Sequence, residues 1–169
     1  MQQHITREAW LLAAALITAP FAAGAAGTDI AFAGLKTDPS LPVQVSADQL
    51  AVNQADGTAV FTGHVVVTQG NMTLETESLQ VEYAKDQKSI ARLLATGGVK
   101  LAAGGEAASS QTADYAPETG SLILQGDVVL TQGTSAIAGQ LLTISLKTGL
   151  GTMEGRVTTT FTPAQPKKN

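Results

Sequence analysis

Apolar and polar residues alternate along most of the chain with a period of two residues. Val65 and Val67 share one parity, and Leu142 and Ile144 share another near the C-terminal end. Such alternation, in segments rich in Val, Thr and Ile, is typical of β-strands with one buried face. No window in the last four fifths of the chain has the period of an amphipathic helix. The pattern therefore predicts an all-β protein.

A short motif, apolar-x-Gly-x-Val, recurs four times along the chain. Its glycines are Gly63, Gly97, Gly126 and Gly155, which are separated by 34, 29 and 29 residues. The extra residues of the first interval fall in the polar stretch 85–89, which is predicted to be a loop. Further columns of glycine and apolar residues keep the same phase. Each copy of about 29 residues is therefore interpreted as a strand, a tight turn and a return strand.

One such two-strand unit cannot bury its apolar face alone. Stacked copies can, so the repeat predicts an elongated antiparallel β-structure with an aliphatic interior. Glycine in mid-strand is unfavourable unless the chain bends there or another backbone comes close. The repeated glycines therefore mark either a continuous crease or separate bulges. The return strands carry their apolar residues with the opposite parity, so a bulge must turn them if all columns face one interior.

The interior columns are predicted to be almost entirely aliphatic, since aromatic residues make up only 4% of the chain. Their members are Val45, Leu50, Val52, Phe61, Val65, Val67, Leu74, Leu79, Val81, Val99, Leu101, Leu124, Val128, Leu130, Ile137, Leu142, Ile144, Met153 and Val157. Such columns could fill a dry core or line an apolar groove for a guest. The residues alone do not decide between these two alternatives. A lipid acyl chain would suit a groove, because each buried CH₂ contributes about 0.8 kcal/mol.

Composition argues against catalysis and against nucleic-acid binding. The chain has no cysteine, only the histidines His4 and His64, and a formal net charge of −4. Thiolate chemistry is excluded, a His-based triad or metal site is not expected, and no basic face is available for nucleic acid. Glu75 and Glu77 are interpreted as an exposed strand face rather than paired catalytic carboxylates. We expect no enzyme, no cofactor and no metal.

The N-terminal segment has the features of an export signal. An apolar run over residues 11–19 is followed by Pro20 and small residues, which predicts a signal peptide over residues 1–26, with a second candidate cleavage point after Ala33. A retained membrane anchor is the alternative. Residues 27–42 are interpreted as a lead-in without regular structure, 43–161 as the repeat domain and 162–169 as a disordered tail.

Three segments closely resemble the LptA/OstA family of periplasmic lipopolysaccharide-transport proteins. They are LPVQVSADQL at 41–50, GTAVFTGHVVVTQG at 57–70 and LETESLQVEY at 74–83, and the resemblance covers residues 41–160. His64 stands where that family usually has Asn or Asp, and Thr76-Glu77 replaces its common Ala-Asp. Neither difference falls in an interior column.

The resemblance implies a V-shaped antiparallel β-jellyroll that holds the acyl chains of lipid A in its apolar groove. It further implies a periplasmic carrier or bridge that passes lipopolysaccharide from the inner to the outer membrane. The implied partners are lipopolysaccharide and the jellyroll domains of the inner-membrane and outer-membrane proteins of the pathway. These would join end to end through edge strands, as would further copies of this chain in a head-to-tail homo-oligomer. We expect the edges at 43–52 and 157–161, because unpaired strand edges accept a further strand.

Lys36, Lys100 and Arg156 are candidates for contacts with lipid phosphates, with an ordinary surface charge as the simpler interpretation. Two other functions stay open. One is an inner-membrane-anchored jellyroll subunit of the same pathway, which would keep the N-terminal apolar run. The other is a purely structural exported β-repeat protein with a closed, dry core.

Overall fold

The computed structural model describes residues 29–31, 34–86 and 88–161, which form one antiparallel sheet of eleven strands. No helix occurs among these residues, so the prediction of an all-β chain is confirmed. The strands are β1 (Asp29–Ala31), β2 (Gln44–Ser46), β3 (Gln49–Asn53), β4 (Thr58–Gln69), β5 (Met72–Tyr83), β6 (Ile90–Ala103), β7 (Glu106–Ala116), β8 (Ser121–Gln132), β9 (Ser135–Ser145), β10 (Leu150–Glu154) and β11 (Thr158–Phe161).

The six long strands β4 to β9 follow one another through short connections, as the repeat predicted. Gly70, Gly104 and Gly133 occupy the turns after β4, β6 and β8 and have φ of 59°, 56° and 57°. This left-handed conformation favours glycine, which explains the glycine column at these turns. The polar stretch 85–89 lies in the connection between β5 and β6, where a loop was predicted.

Three of the six long strands, β4, β6 and β8, are interrupted near their middle by a bulge. Gly63 and His64 of β4 together oppose Glu77 alone of β5, and residues 97–98 and 126–127 are placed in the same way in β6 and β8. Where two residues oppose one, the strand that contributes the single residue changes which of its alternate side chains face inward. The predicted change of face in the return strands is therefore confirmed.

The bulges lie at the same level in alternate strands of the sheet and form a single crease across it. The glycines of the repeated motif have φ between 80° and 88°. A Cβ added at Gly97 would lie 2.8 Å from the Cβ of Glu77, and one at Gly155 would lie 2.6 Å from the Cβ of Gln140. These glycines are therefore needed both for the bulge and for close approach of the next strand. The crease and the bulges, which the sequence left as alternatives, are both present.

The residue after each of these glycines also has a positive φ. The values are 45° at His64, 47° at Asp127 and 51° at Arg156. Asn, Asp and His are the side chains found most often in this conformation outside glycine. His64 therefore meets the same backbone requirement as the Asn or Asp that is usual in the resembling family.

The crease divides the sheet into two walls that face each other. The first wall consists of residues 65–69, 72–76, 99–103, 106–110, 128–132 and 135–139, with β2 and β11 at its edges. The second wall consists of residues 58–62, 78–83, 90–96, 112–116, 121–125 and 141–145 and β10, with β3 and β1 at its edges.

The strand β1 and a buried leucine lie within residues 27–42, where no regular structure was expected. β1 pairs with β10, and Leu35 has no exposed surface. A strand of three residues is too short to show alternation, so only its pairing with β10 defines it. The predicted signal peptide (1–26) and tail (162–169) lie outside the described residues.

The sheet ends in edges at both sides. β2 and β3 both pair with β4 and with no other described strand, which confirms the edge predicted at 43–52. At the other side β11 is the edge of the first wall, as predicted, whereas β1 covers β10 and forms the edge of the second wall.

Candidate functional site: the interior between the walls

The inward side chains of both walls meet in one continuous apolar cluster. Val65 and Val67 point into it from the first wall, and Leu142 and Ile144 point into it from the second. Most of the predicted interior residues are buried there: Val65, Val67, Leu74, Leu79, Val81, Val99, Leu101, Leu124, Val128, Leu130, Leu142, Ile144 and Met153. Val45, Phe61 and Ile137 are partly buried and pack against the cluster.

Three residues predicted for the interior lie at the surface of the chain instead. Leu50, Val52 and Val157 have relative exposures of 55%, 61% and 47%. Leu50 and Val52 belong to the edge strand β3, and Val157 precedes the edge strand β11. Their repeat columns predicted burial, but at either end of the sheet no further layer covers them.

Several buried residues were not predicted. Met72 and Leu93 have the inward parity of their strands, so continuing the alternation to the strand ends would have found them. Leu35 gave no such signal, because its segment has no periodicity. The polar residue Gln69 is 1% exposed, and it follows Val67 on the inward face of β4.

The interior is closely packed. Leu124, Leu130 and Leu142 have no exposed surface, so the walls contact each other directly. Clefts of about 520 and 560 Å³ lie elsewhere, and their lining includes outward side chains such as Glu75 and Leu94. A guest could enter this interior only if the walls moved apart.

Opposite the crease, the ends of the two walls are joined by a hydrogen bond between buried side chains. Tyr115, near the end of β7, donates its hydroxyl to Oε1 of Gln69 at 2.7 Å. Burial raises the pKa of the Tyr115 hydroxyl, which the hydrogen bond to Gln69 partly offsets. The phenol therefore stays protonated and can act as the donor. The side-chain amide of Gln69 in turn donates to the carbonyl oxygens of Pro39 at 3.1 Å and Leu41 at 2.9 Å.

A buried carboxylate lies at the same end of the first wall. Glu106 is 6% exposed and accepts a hydrogen bond from Nε2 of Gln132 at 2.7 Å through Oε1. Its Oε2 is buried and has no hydrogen-bond partner among the described residues. An unpaired buried oxygen is unfavourable, and the Glu106 side chain lies against the segment that contains Gly34, where an added Cβ would be 2.9 Å from its Cγ and Cδ.

The charged residues do not form a second site. On the outer side of the crease His64 Nδ1 lies 2.7 Å from Asp48 Oδ2, and this hydrogen bond, with the charges of Asp48 and Glu77, raises the pKa of His64. The pair is exposed, in agreement with a surface histidine. Lys100 and Arg156 are exposed on the outer face of the first wall and at the crease, and the structure does not bring them together.

Two further classes of site are absent from the described part of the chain. No three His, Asp or Glu side chains there are grouped to hold a metal ion. No helix in the same residues is long and apolar enough to cross a membrane.

Comparisons with known proteins agree with this architecture. The fold matches the crystal structure of LptH from Pseudomonas aeruginosa, described as the LptA-homologous periplasmic component of the lipopolysaccharide transport device, with a TM-score of 0.67 and 18% identity over 75% of this chain and 99% of that one. The predicted β-jellyroll is thereby confirmed. An uncharacterised protein of Rhizobium meliloti (strain 1021) is 28% identical over 94% of this chain and 90% of its own length. Residues 44–150, well over half of the chain, match the sequence model of the LptA/(LptD N-terminal domain) lipopolysaccharide transport proteins, so the chain belongs to this family of transport proteins and not to a family of enzymes.

Proposed function

We propose that the chain is a periplasmic carrier that shields the acyl chains of lipopolysaccharide between its two walls. The observation that carries the proposal is the interior itself: two aliphatic faces pack against each other, and the long strands connect their walls only through the crease. The family of transport proteins and the description of LptH as a periplasmic component support the same function.

Exchange of one apolar contact for another makes loading energetically feasible. When the walls part, the acyl chains cover the aliphatic side chains that the opposite wall covered before, so little apolar surface reaches water. Ten buried methylene groups would contribute about 8 kcal/mol. The net charge of −4 gives no general attraction for lipid phosphates, so burial of the acyl chains provides most of the affinity.

The sheet edges support end-to-end assembly with the other jellyrolls of the pathway, which would take lipopolysaccharide from the inner membrane and pass it to the outer membrane. β2 and β3 leave one side unpaired, and Leu50 and Val52 are exposed there. At the other side Phe161 of β11 is 75% exposed. An edge with exposed apolar side chains is suited to addition of a partner strand.

Charged substitutions on the two faces of β8 test the carrier function. Val128 has no exposed surface, whereas its neighbour Val129 is 40% exposed on the outer face. We expect Val128→Asp to abolish uptake of a fluorescent fatty-acid probe and its displacement by lipopolysaccharide, because the carboxylate would face the acyl chains. Val129→Asp should bind as the wild type does.

Val128→Asp needs a check for folding, since a buried carboxylate also destabilises the chain. Circular dichroism tests this, and the nearly isosteric Val128→Thr provides a milder variant that should show reduced binding. Wild-type protein that neither takes up the probe nor carries lipopolysaccharide would contradict the proposal. It would instead support a structural protein with a permanently closed core, with which the closely packed interior is also compatible.

A further inference from the structure

The segment between β1 and β2 crosses the open side of the sheet, opposite the crease, from the end of one wall to the end of the other. We call residues 34–41 the strap. We propose that the strap is a displaceable gate, which closes the interior in the unloaded protein and must leave before acyl chains enter. This inference rests on the proposed carrier function and assigns to the strap a role in controlling access.

The strap is attached to both walls through Thr37. The backbone N–H of Thr37 donates to the carbonyl oxygen of Leu146, at the end of the second wall, at 3.1 Å. Its hydroxyl donates to the carbonyl oxygen of Gln69, at the end of the first wall, at 3.4 Å. Thr37 is buried, so these contacts lie within the gap that separates the wall ends.

A single large apolar side chain anchors the strap. Leu35 has no exposed surface and belongs to the same cluster as the interior of the walls. It therefore occupies the apolar space at the entrance that an acyl chain would have to pass. Lys36, Asp38 and Ser40, by contrast, point to the solvent.

Two glycines allow the strap to lie directly on the first wall. A Cβ at Gly104 would lie 2.6 Å from the Cα of Gly34, and one at Gly34 would lie 2.9 Å from the side chain of Glu106. The amide of Asn71 also donates to the carbonyl oxygen of Gly34 at 3.5 Å. The strap is thus seated against the turns after β4 and β6.

The strap is held less strongly than the strands, which is what a gate requires. None of residues 34–41 belongs to a strand, and Leu35 is its only fully buried apolar residue. It also leaves the buried Glu106 Oε2 without a hydrogen bond, although the Cγ and Cδ of that side chain lie against Gly34. Once the strap leaves, Gln69, Tyr115 and Glu106 present donors and acceptors at the entrance, where hydroxyl and amide groups of a glycolipid can replace the strap carbonyls.

A disulfide between the strap and the first wall tests the gate. The chain has no cysteine, and a Cβ at Gly70 would lie 2.9 Å from Oγ1 of Thr37, within reach of a disulfide between Thr37→Cys and Gly70→Cys. Loading is measured as the rate of uptake of fluorescently labelled lipopolysaccharide. We expect oxidation to slow loading by about tenfold or more, which corresponds to about 1.4 kcal/mol, and a reductant to restore the rate.

Gly70 has a φ of 59°, so cysteine there introduces strain, and Leu35→Ala provides a second variant. We expect it to speed loading by about tenfold because the strap loses its anchor. Leu41→Ala, in the same segment but 41% exposed, should load at the wild-type rate.

Equal loading rates in the oxidised and reduced cysteine variant, or an unchanged rate in Leu35→Ala, would overturn the proposal that the strap is a gate. The proposed carrier function would not be affected. Failure of the wild type and of the reduced variant to load at all would overturn the carrier function, and the gate with it. The two failures are therefore distinguishable.

Discussion

At the residue scale, the crease depends on glycines that do two different things. Gly97 and Gly98 are adjacent and have nearly the same φ, 88° and 91°. A Cβ at Gly97 would lie 2.8 Å from that of Glu77, whereas a Cβ at Gly98 would meet nothing within 4 Å. The sequence predicted the special role of Gly97 from its recurrence in the motif. It could not predict a special role for Gly98, because the same position in the other copies of the motif holds His64, Asp127 and Arg156.

Alanine substitution at these two glycines separates backbone strain from close packing. Gly98→Ala should lower the free energy of unfolding by about 1 kcal/mol, from the positive φ alone. Gly97→Ala should cost at least about 1 kcal/mol more, because β5 must also shift. Urea denaturation measures both, provided that the m-values agree. Equal losses at the two positions would contradict the close approach of neighbouring strands at the crease.

At the scale of elements, the sequence predicted the long hairpins well and the end elements poorly. Hairpins of β4 to β9 are encoded by local alternation and by turn glycines such as Gly70 and Gly133, which can be recognised without the fold. β1 and the strap are held by contacts with distant residues, as between Thr37 and Leu146, so no local pattern identifies them. The exposure of Leu50 and Val52 was missed for a related reason, since a repeat column does not show where the stack of layers ends.

The exposed edges predict assembly. We expect the sedimentation mass of the wild type to rise with protein concentration, and the double variant Leu50→Lys/Val52→Lys on β3 to remain monomeric, because charges on an edge strand oppose strand addition. Val129→Lys, exposed on β8 away from the edges, is the control and should assemble as the wild type does. A wild type that stays monomeric at every concentration, or a β3 variant that assembles as the wild type does, would contradict assembly through this edge strand.

At the scale of the whole molecule, the aliphatic columns could not decide between a dry core and a groove. The same residues, such as Leu124 and Val128, serve either purpose, and the difference lies in whether the walls can separate. The structure shows the walls in contact, with the strap across their open side. Membership of the transport family and the weakly held strap favour an interior that opens. The central claim is therefore that lipid occupies the space between the walls during transport.

Site-specific photo-crosslinking in cells tests that claim most directly. A photoreactive residue is placed at Val67, Leu142 or Ile144, which are buried between the walls, and at the outward neighbours Val66 and Thr143 as controls. We expect the inward positions to form crosslinks to lipopolysaccharide and the outward positions to form none. Crosslinks that are missing from every inward position, or as abundant at Thr143 as at Ile144, would contradict the account.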